Sequence, residues 1–146
     1  MENNYKYLFL DDDREPQQVG NYILPIELRR IYRTENWIIV RSFTEFKNHL
    51  LKNVMPDVIS LDHDLAERMY LKHLDKNGIF NYEADDFKDE RNRTGYHCLQ
   101  WLIDYGRKNK YKLPVMYCHS LNPIGKANIE NLIALTNNRL PSAEQS

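Results

Sequence analysis

The chain has 146 residues, of which 42% are apolar and 28% charged, and its net charge is −1. That length suits one domain with a real core. The near-neutral charge excludes bulk attraction to nucleic acid or to an anionic membrane, and no run approaches the roughly 20 apolar residues of a membrane span.

The start, MENNYKYLFL, lacks the basic opening and long apolar run of a secretory leader, so none is expected and a cytoplasmic location fits. KYLFL reads as a short buried strand, stopped by Asp11, Asp12 and Asp13. PIELRRIY is a helix candidate. WIIVRSF, rich in β-branched residues, is a second strand. Ser42 and Glu45 form a capping box, behind which Phe43, Phe46, Leu50 and Val54 recur at helical spacing until Pro56.

PDVISLD is the third strand, and its near-continuous apolar run predicts burial on both faces. Residues 65–93 then turn polar and irregular, as either a solvated insertion or a lid or partner-binding flap. Thr94 can cap the next helix, with Tyr96, Leu99, Leu102 and Ile103 as its apolar stripe and an end near Gly106. LPVMYCHS is the fourth strand. Asn122 and Pro123 then open a last helix, packed by Ile129, Leu132, Ile133 and Leu135, with a frayed tail from Thr136. Cys98 and Cys118 lie inside apolar patterns without metal spacing, so packing is their expected role. His49, His73 and His97 show no placement that suggests chemistry.

Strands alternating with helices predict a parallel α/β sheet covered on both faces, as one domain over residues 1–136 with residues 137–146 as a tail. In such sheets ligands sit at the carboxyl ends of the strands. Strand one ends in Asp11, Asp12, Asp13 and Arg14; strand three in Asp62, His63 and Asp64; strand four in His119, Ser120 and Asn122. A parallel sheet brings these three ends to one edge.

Clustered aspartates repel unless a cation offsets them. Asp11, Asp12 and Asp62 are therefore candidate ligands for a divalent metal, Mg²⁺ or Mn²⁺; the bland alternative is turn-forming aspartates. His63 and His119 are candidate acid–base groups, with Asp64 supporting the metal or orienting His63. The helix start beside His119 offers free N–H groups to an anion, and Ser120 and Asn122 can donate there or simply cap. Arg14 can pair with a phosphate or carboxylate. Arg14, Thr94, Ser120 and Asn122 thus form the candidate substrate-binding set.

At these residues the chain resembles a receiver domain, the flavodoxin-like module of response regulators. YLFLDDD matches the first strand and acidic pair. MPDVISLD matches the third strand, with Asp62 at the phosphoacceptor position. TGYHCLQWL resembles the following helix, and LPVMYCHS the fourth strand, with His119 where receivers usually carry Thr or Ser. Three features depart from an ordinary receiver: no fifth strand with its lysine is evident, the insertion is foreign, and so are the histidines of DHD and CHS.

A closer resemblance is to the cyclic-phosphate processing receiver domains. Their pattern L-D-D-x-R-x-P, S-x-D-H-D-L, T-G and H-S-x-N-P-x-G is met in order by LDDDREP, SLDHDL, RTGYHC and HSLNPIG, across residues 10–125. This resemblance implies a receiver-like fold of about four strands and metal-assisted processing of a cyclic phosphate. The ligand would be a small molecule or an RNA end, and homo-oligomerisation is left open.

Three functional readings follow. The first is a metal-dependent phosphoesterase. The second is a module that captures a cyclic nucleotide or phosphate ligand without cleaving it. The third is a degenerate receiver for protein–protein signalling, with Asp62 accepting phosphate; the missing lysine counts against it.

Overall fold

Along the first strand, Leu8 and Leu10 join one buried cluster and Phe9 joins another. That alternation is the period of a strand buried on both faces, and it divides the molecule into two layers around one sheet. The computed structural model describes residues 4–65 and 72–145, with side chains of the last helix described through 137.

The strands are β1 (Tyr7–Leu10), β2 (Trp37–Val40), β3 (Val58–Leu61) and β4 (Val115–Cys118). They form one sheet in the order β2-β1-β3-β4, every pairing parallel. The register aligns Leu10 with Val40 and with Leu61, and Leu61 with Cys118. The residues just after these strands therefore share one edge. This is the doubly wound pattern that places a ligand outside the carboxyl ends of the strands. The described residues contain no fifth strand, in agreement with the sequence.

The helices are α1 (Pro16–Val19), α2 (Arg29–Thr34), α3 (Phe43–Lys52), α4 (Gly95–Asn109) and α5 (Pro123–Gln145). One layer packs Leu8, Leu10, Ile59 and Leu61 against Phe46 and Leu50 of α3, Leu99 and Leu102 of α4, and Ile129 and Ile133 of α5. The other buries Phe9 with Val19, Ile23 and Tyr32. Ser42 caps α3 by accepting from the Glu45 amide, and Thr94 caps α4 by accepting from the Tyr96 amide, both as expected.

Several details differ from the sequence reading. Val54 lies beyond α3 and is exposed, because the helix ends at Lys52 before reaching it. Gly106 does not end α4. The helix runs three residues further, to a left-handed Lys110, and Gly106 makes room for the Leu113 side chain. Leu135 is exposed rather than packed. The last helix continues to Gln145 instead of fraying at Thr136, whose side chain is buried. No helix among the described residues is long and apolar enough to cross a membrane.

The insertion folds back on the domain. Leu74 and Phe80 bridge, short 3₁₀ turns span Asp85–Lys88 and Glu90–Asn92, and Phe80 and Phe87 are buried. Its part at residues 66–71 lies outside the described residues.

Candidate functional site

Asp11 follows β1 directly and turns the chain. Its Oδ1 accepts from the amides of Asp13 at 2.9 Å and Arg14 at 2.8 Å, an Asx turn that satisfies two loop donors. The turn is pinned from β2: the Arg41 guanidinium donates to the backbone oxygens of Asp11 and Arg14 and pairs with Glu15. Asp11 is thereby held inward and fully buried, while Asp12 is left exposed.

Asp62 follows β3 and His119 follows β4. Both are buried, and their ligand atoms and one of Asp11 lie within 4.8 Å of one another. Among the described residues this is the only group of three His, Cys, Asp or Glu side chains that could hold a metal ion. It differs from the expected ligand set in one member: His119 is in the group and Asp12 is not.

The hydrogen bonds fix the state of His119. Its Nε2 lies 3.0 Å from Asp11 Oδ2, and its Nδ1 lies 2.7 Å from Ser60 Oγ. Burial raises Asp11, but the His119 hydrogen bond and the Arg14 and Asp13 amides outweigh it and hold the carboxyl down to about 2. Asp11 is therefore an acceptor, and Nε2 carries a proton. Burial, opposed by Asp11, lowers the His119 pKa. The ring is then neutral, so Nδ1 accepts from Ser60. Ser60 in turn accepts from Tyr32, 2.5 Å away. Phe9 stacks on the imidazole at 4.5 Å between centroids.

Asp62 has the opposite balance. Burial first, and the Asp11 charge second, push it up to about 7 against the pull of Arg14. Two buried carboxylates of such different acidity form a pair whose repulsion a nearby positive charge would relieve. Arg14 supplies part of the missing charge. Its Nε is 3.3 Å from Asp11 Oδ2 and its Nη2 is 3.6 Å from Asp62 Oδ1. Its Nη1 donates to Tyr22 OH at 2.5 Å, and Tyr22 OH donates to the His119 carbonyl at 2.7 Å.

His63 sits differently from His119. It is fully buried, and its Nδ1 is 2.6 Å from Asp64 Oδ1 while its Nε2 is 2.6 Å from Tyr82 OH. Both ring nitrogens are thus committed, and the histidine orients Asp64 rather than facing the cluster. Asn122 Nδ2 grips the same carboxylate at 3.0 and 3.3 Å. Burial raises Asp64, but the His63 and Asn122 hydrogen bonds prevail and lower its pKa.

The other expected substrate-binding groups are taken up by capping. Thr94 is buried at the start of α4, and Ser120 Oγ accepts from the Asn122 amide. Asn122 Oδ1 accepts from the amides of Ile124 and Gly125. The free N–H groups expected at the start of α5 are consumed by this cap. Arg14 and Asn122 are the members of that set that stay half-exposed.

The glycines of the motifs are explained by close approach. A Cβ at Gly95 would sit 1.6 Å from the Asp62 carbonyl oxygen, and one at Gly125 would sit 2.3 Å from the His63 ring. Gly95 also donates its amide to His63 O at 2.8 Å. Both helix starts press directly on the strand end that carries Asp62 and His63.

Sequence reasoning missed Tyr22, Ser60 and Tyr82. Ser60, a lone hydroxyl in an apolar strand, was the one readable signal. His97 proves structural: its Nδ1 accepts from the Thr94 amide and its Nε2 donates to the Tyr82 carbonyl. Burial lowers its pKa to about 4. Burial also pushes the Cys118 thiol up to about 12 and raises Cys98, so both cysteines are inert packing groups.

Residues 6–134 match the family model described as the cyclic-phosphate processing receiver domain. No curated protein and no solved structure matches the chain.

Proposed function

We propose, from the premise that this chain belongs to the cyclic-phosphate processing receiver domains, that it is a metal-dependent phosphoesterase acting on a small-molecule or RNA-end cyclic phosphate. The observation that carries this reading is the convergence of Asp11, Asp62 and His119 ligand atoms within 4.8 Å, beside the Arg14 guanidinium.

The residues fit a divalent ion. The two carboxylates are oxygen donors for Mg²⁺ or Mn²⁺ and the imidazole suits Mn²⁺, and a cation there would offset the burial and the Asp11 charge that raise Asp62. Asp11 and Asp62 would hold it, with His119 as third donor or as the proton carrier beside it. The proton on Nε2, held by Asp11, favours the second role. A divalent ion there would polarise a phosphoryl oxygen and stabilise developing negative charge.

The chain's own groups supply the rest. The neutral His119 ring donates its Nε2 proton to Asp11 at the floor of the site and accepts from Ser60, backed by Tyr32, at Nδ1, so as an acid–base group it would take up a proton at Nδ1 before giving one from Nε2. Asp64 is held ionised at the rim by His63 and Asn122. Arg14 is placed to meet a phosphate.

Ligand capture without cleavage is the second reading, and full burial of His119 is what favours it. Turnover separates the two. A panel of 2′,3′-cyclic and 3′,5′-cyclic nucleotides and cyclic dinucleotides is incubated with Mg²⁺, Mn²⁺ or chelator. Hydrolysis that needs the metal supports the esterase; tight retention with no hydrolysis supports capture.

A further inference from the structure

Arg14 lies on the same carboxylates that would hold the metal. Its Nε approaches Asp11 Oδ2, the oxygen that also takes the His119 Nε2 proton, and its Nη2 approaches Asp62 Oδ1. Asp11 and His119 are 0% exposed and Asp62 only 2%, whereas the Arg14 side chain above them keeps 23%. A cation cannot reach carboxylates that a guanidinium already covers unless the guanidinium moves. Arg14 is held in this position by Tyr22, whose hydroxyl links it to the His119 carbonyl.

We propose that Arg14 is a built-in counter-cation that exchanges with the divalent ion and, once displaced, becomes the group that binds the ligand's phosphate. The proposal rests on the phosphoesterase reading and adds an order to it. Like charges exclude each other from the Asp11–Asp62 pair, so the side chain and the ion occupy it alternately. The displaced guanidinium loses two carboxylates and gains a planar, bidentate partner in a phosphate at the rim. Metal and phosphate then help each other bind, each by the same factor. Without metal, Arg14 is occupied and the phosphate subsite is closed.

The residues around Arg14 support an exchange rather than a fixed ion pair. The contacts to Asp11 and Asp62, at 3.3 and 3.6 Å, are longer than a charge-assisted hydrogen bond, which runs nearer 2.7–2.9 Å. Its shortest contact is to the neutral Tyr22 hydroxyl. The arginine is thus anchored by a neutral group and only loosely by the two acids.

The test measures Mn²⁺ affinity from the free-ion electron paramagnetic resonance signal, at one fixed pH for all proteins. Wild type, Arg14→Gln and Tyr22→Phe are compared. Exchange predicts tighter Mn²⁺ binding, on the order of tenfold for Arg14→Gln and less for Tyr22→Phe. A second arm measures inorganic phosphate by ³¹P line broadening, with and without Mg²⁺. Wild type should bind phosphate only with Mg²⁺, and Arg14→Gln should bind it in neither condition.

Mn²⁺ affinity unchanged or weakened in Arg14→Gln, while wild type binds the ion, overturns the exchange and leaves the metal site standing. Phosphate binding by wild type regardless of Mg²⁺ also overturns it. If neither wild type nor Arg14→Gln retains Mn²⁺, the phosphoesterase reading fails and the exchange falls with it. Should Arg14→Gln fold poorly, Tyr22→Phe carries the same prediction through a single lost hydroxyl.

Discussion

Asp62 is where the chemistry and the stability of this protein pull in opposite directions. Its carboxyl is pushed up to about 7 from an ordinary 3.8. The folded chain therefore binds that proton more tightly than the unfolded chain does. Between about 4 and 7, stability falls as pH rises. Asp11, held down to about 2, works the other way: it adds stability above 3.8 and loses it as pH falls toward 2. Asp62→Asn removes the destabilising charge but keeps the oxygen that accepts from the His63 amide. In metal-free buffer at about pH 8 this variant is expected to be more stable than wild type by about 1–3 kcal/mol, read by urea denaturation. Equal or lower stability would show that Asp62 is not strained by its charge. At the same scale, His119→Ala should cut turnover by on the order of 10²–10⁴, the worth of a general acid–base group; a loss under about tenfold would reduce His119 to scaffold.

At the scale of elements, the site is built by two helix starts pressed against one strand end. Gly95 and Gly125 permit that approach because no Cβ intervenes. Gly95→Ala should cost at least about 1–3 kcal/mol, since the added methyl meets backbone that cannot rotate away. Thermal melting checks this, and a neutral result would mean that α4 does not sit where described. The insertion is tied down by Tyr82, which meets His63 and Asn128 through its hydroxyl and stacks on Tyr96 at 3.9 Å. Tyr82→Phe keeps the ring and should cost about 0.5–1.5 kcal/mol for each hydrogen bond lost, with faster amide exchange across residues 72–93. Exchange confined to other segments would show that Tyr82 is not the tether.

These elements also show what could be read in advance. Short apolar, β-branched runs marked all four strands, and Ser42, Thr94 and Asn122 marked three helix starts by their capping chemistry. The parallel edge brought Asp11, Asp62 and His119 together before any coordinates did. What stayed hidden was contact between residues distant in sequence. Tyr22 reaches His119 across 97 residues and Tyr82 reaches His63 across 19. Neither contact leaves a periodic trace. Asp12 looked equivalent to Asp11 because the sequence does not say which acid of a run turns inward. The Asx turn at Asp11, fastened by Arg41, decides it.

At the scale of the whole molecule, a four-stranded parallel sheet gathers one acid, one acid and one histidine from three strand ends into a buried cluster. Such an arrangement costs stability until a cation arrives, so the Asp62 contribution should be most unfavourable on the alkaline side of 7 and the response to metal largest there. Mn²⁺ at about a hundred times its dissociation constant should add about 2.7 kcal/mol. Below the Asp62 pKa of about 7, each unit of acidity should weaken the ion's binding by about tenfold as it competes with one proton. Calorimetric titrations in buffers of different ionisation heat would count that proton. No proton release, or affinity independent of pH, would contradict the assignment of Asp62 as a ligand.

The most direct test of the central claim pairs wild type with Asp62→Asn in the cyclic-nucleotide hydrolysis panel, after both are shown to be folded by their melting curves. The account predicts Mg²⁺- or Mn²⁺-dependent hydrolysis in wild type and none in Asp62→Asn, although the variant is at least as stable. Undiminished hydrolysis in Asp62→Asn, or hydrolysis that persists in chelator, would contradict it.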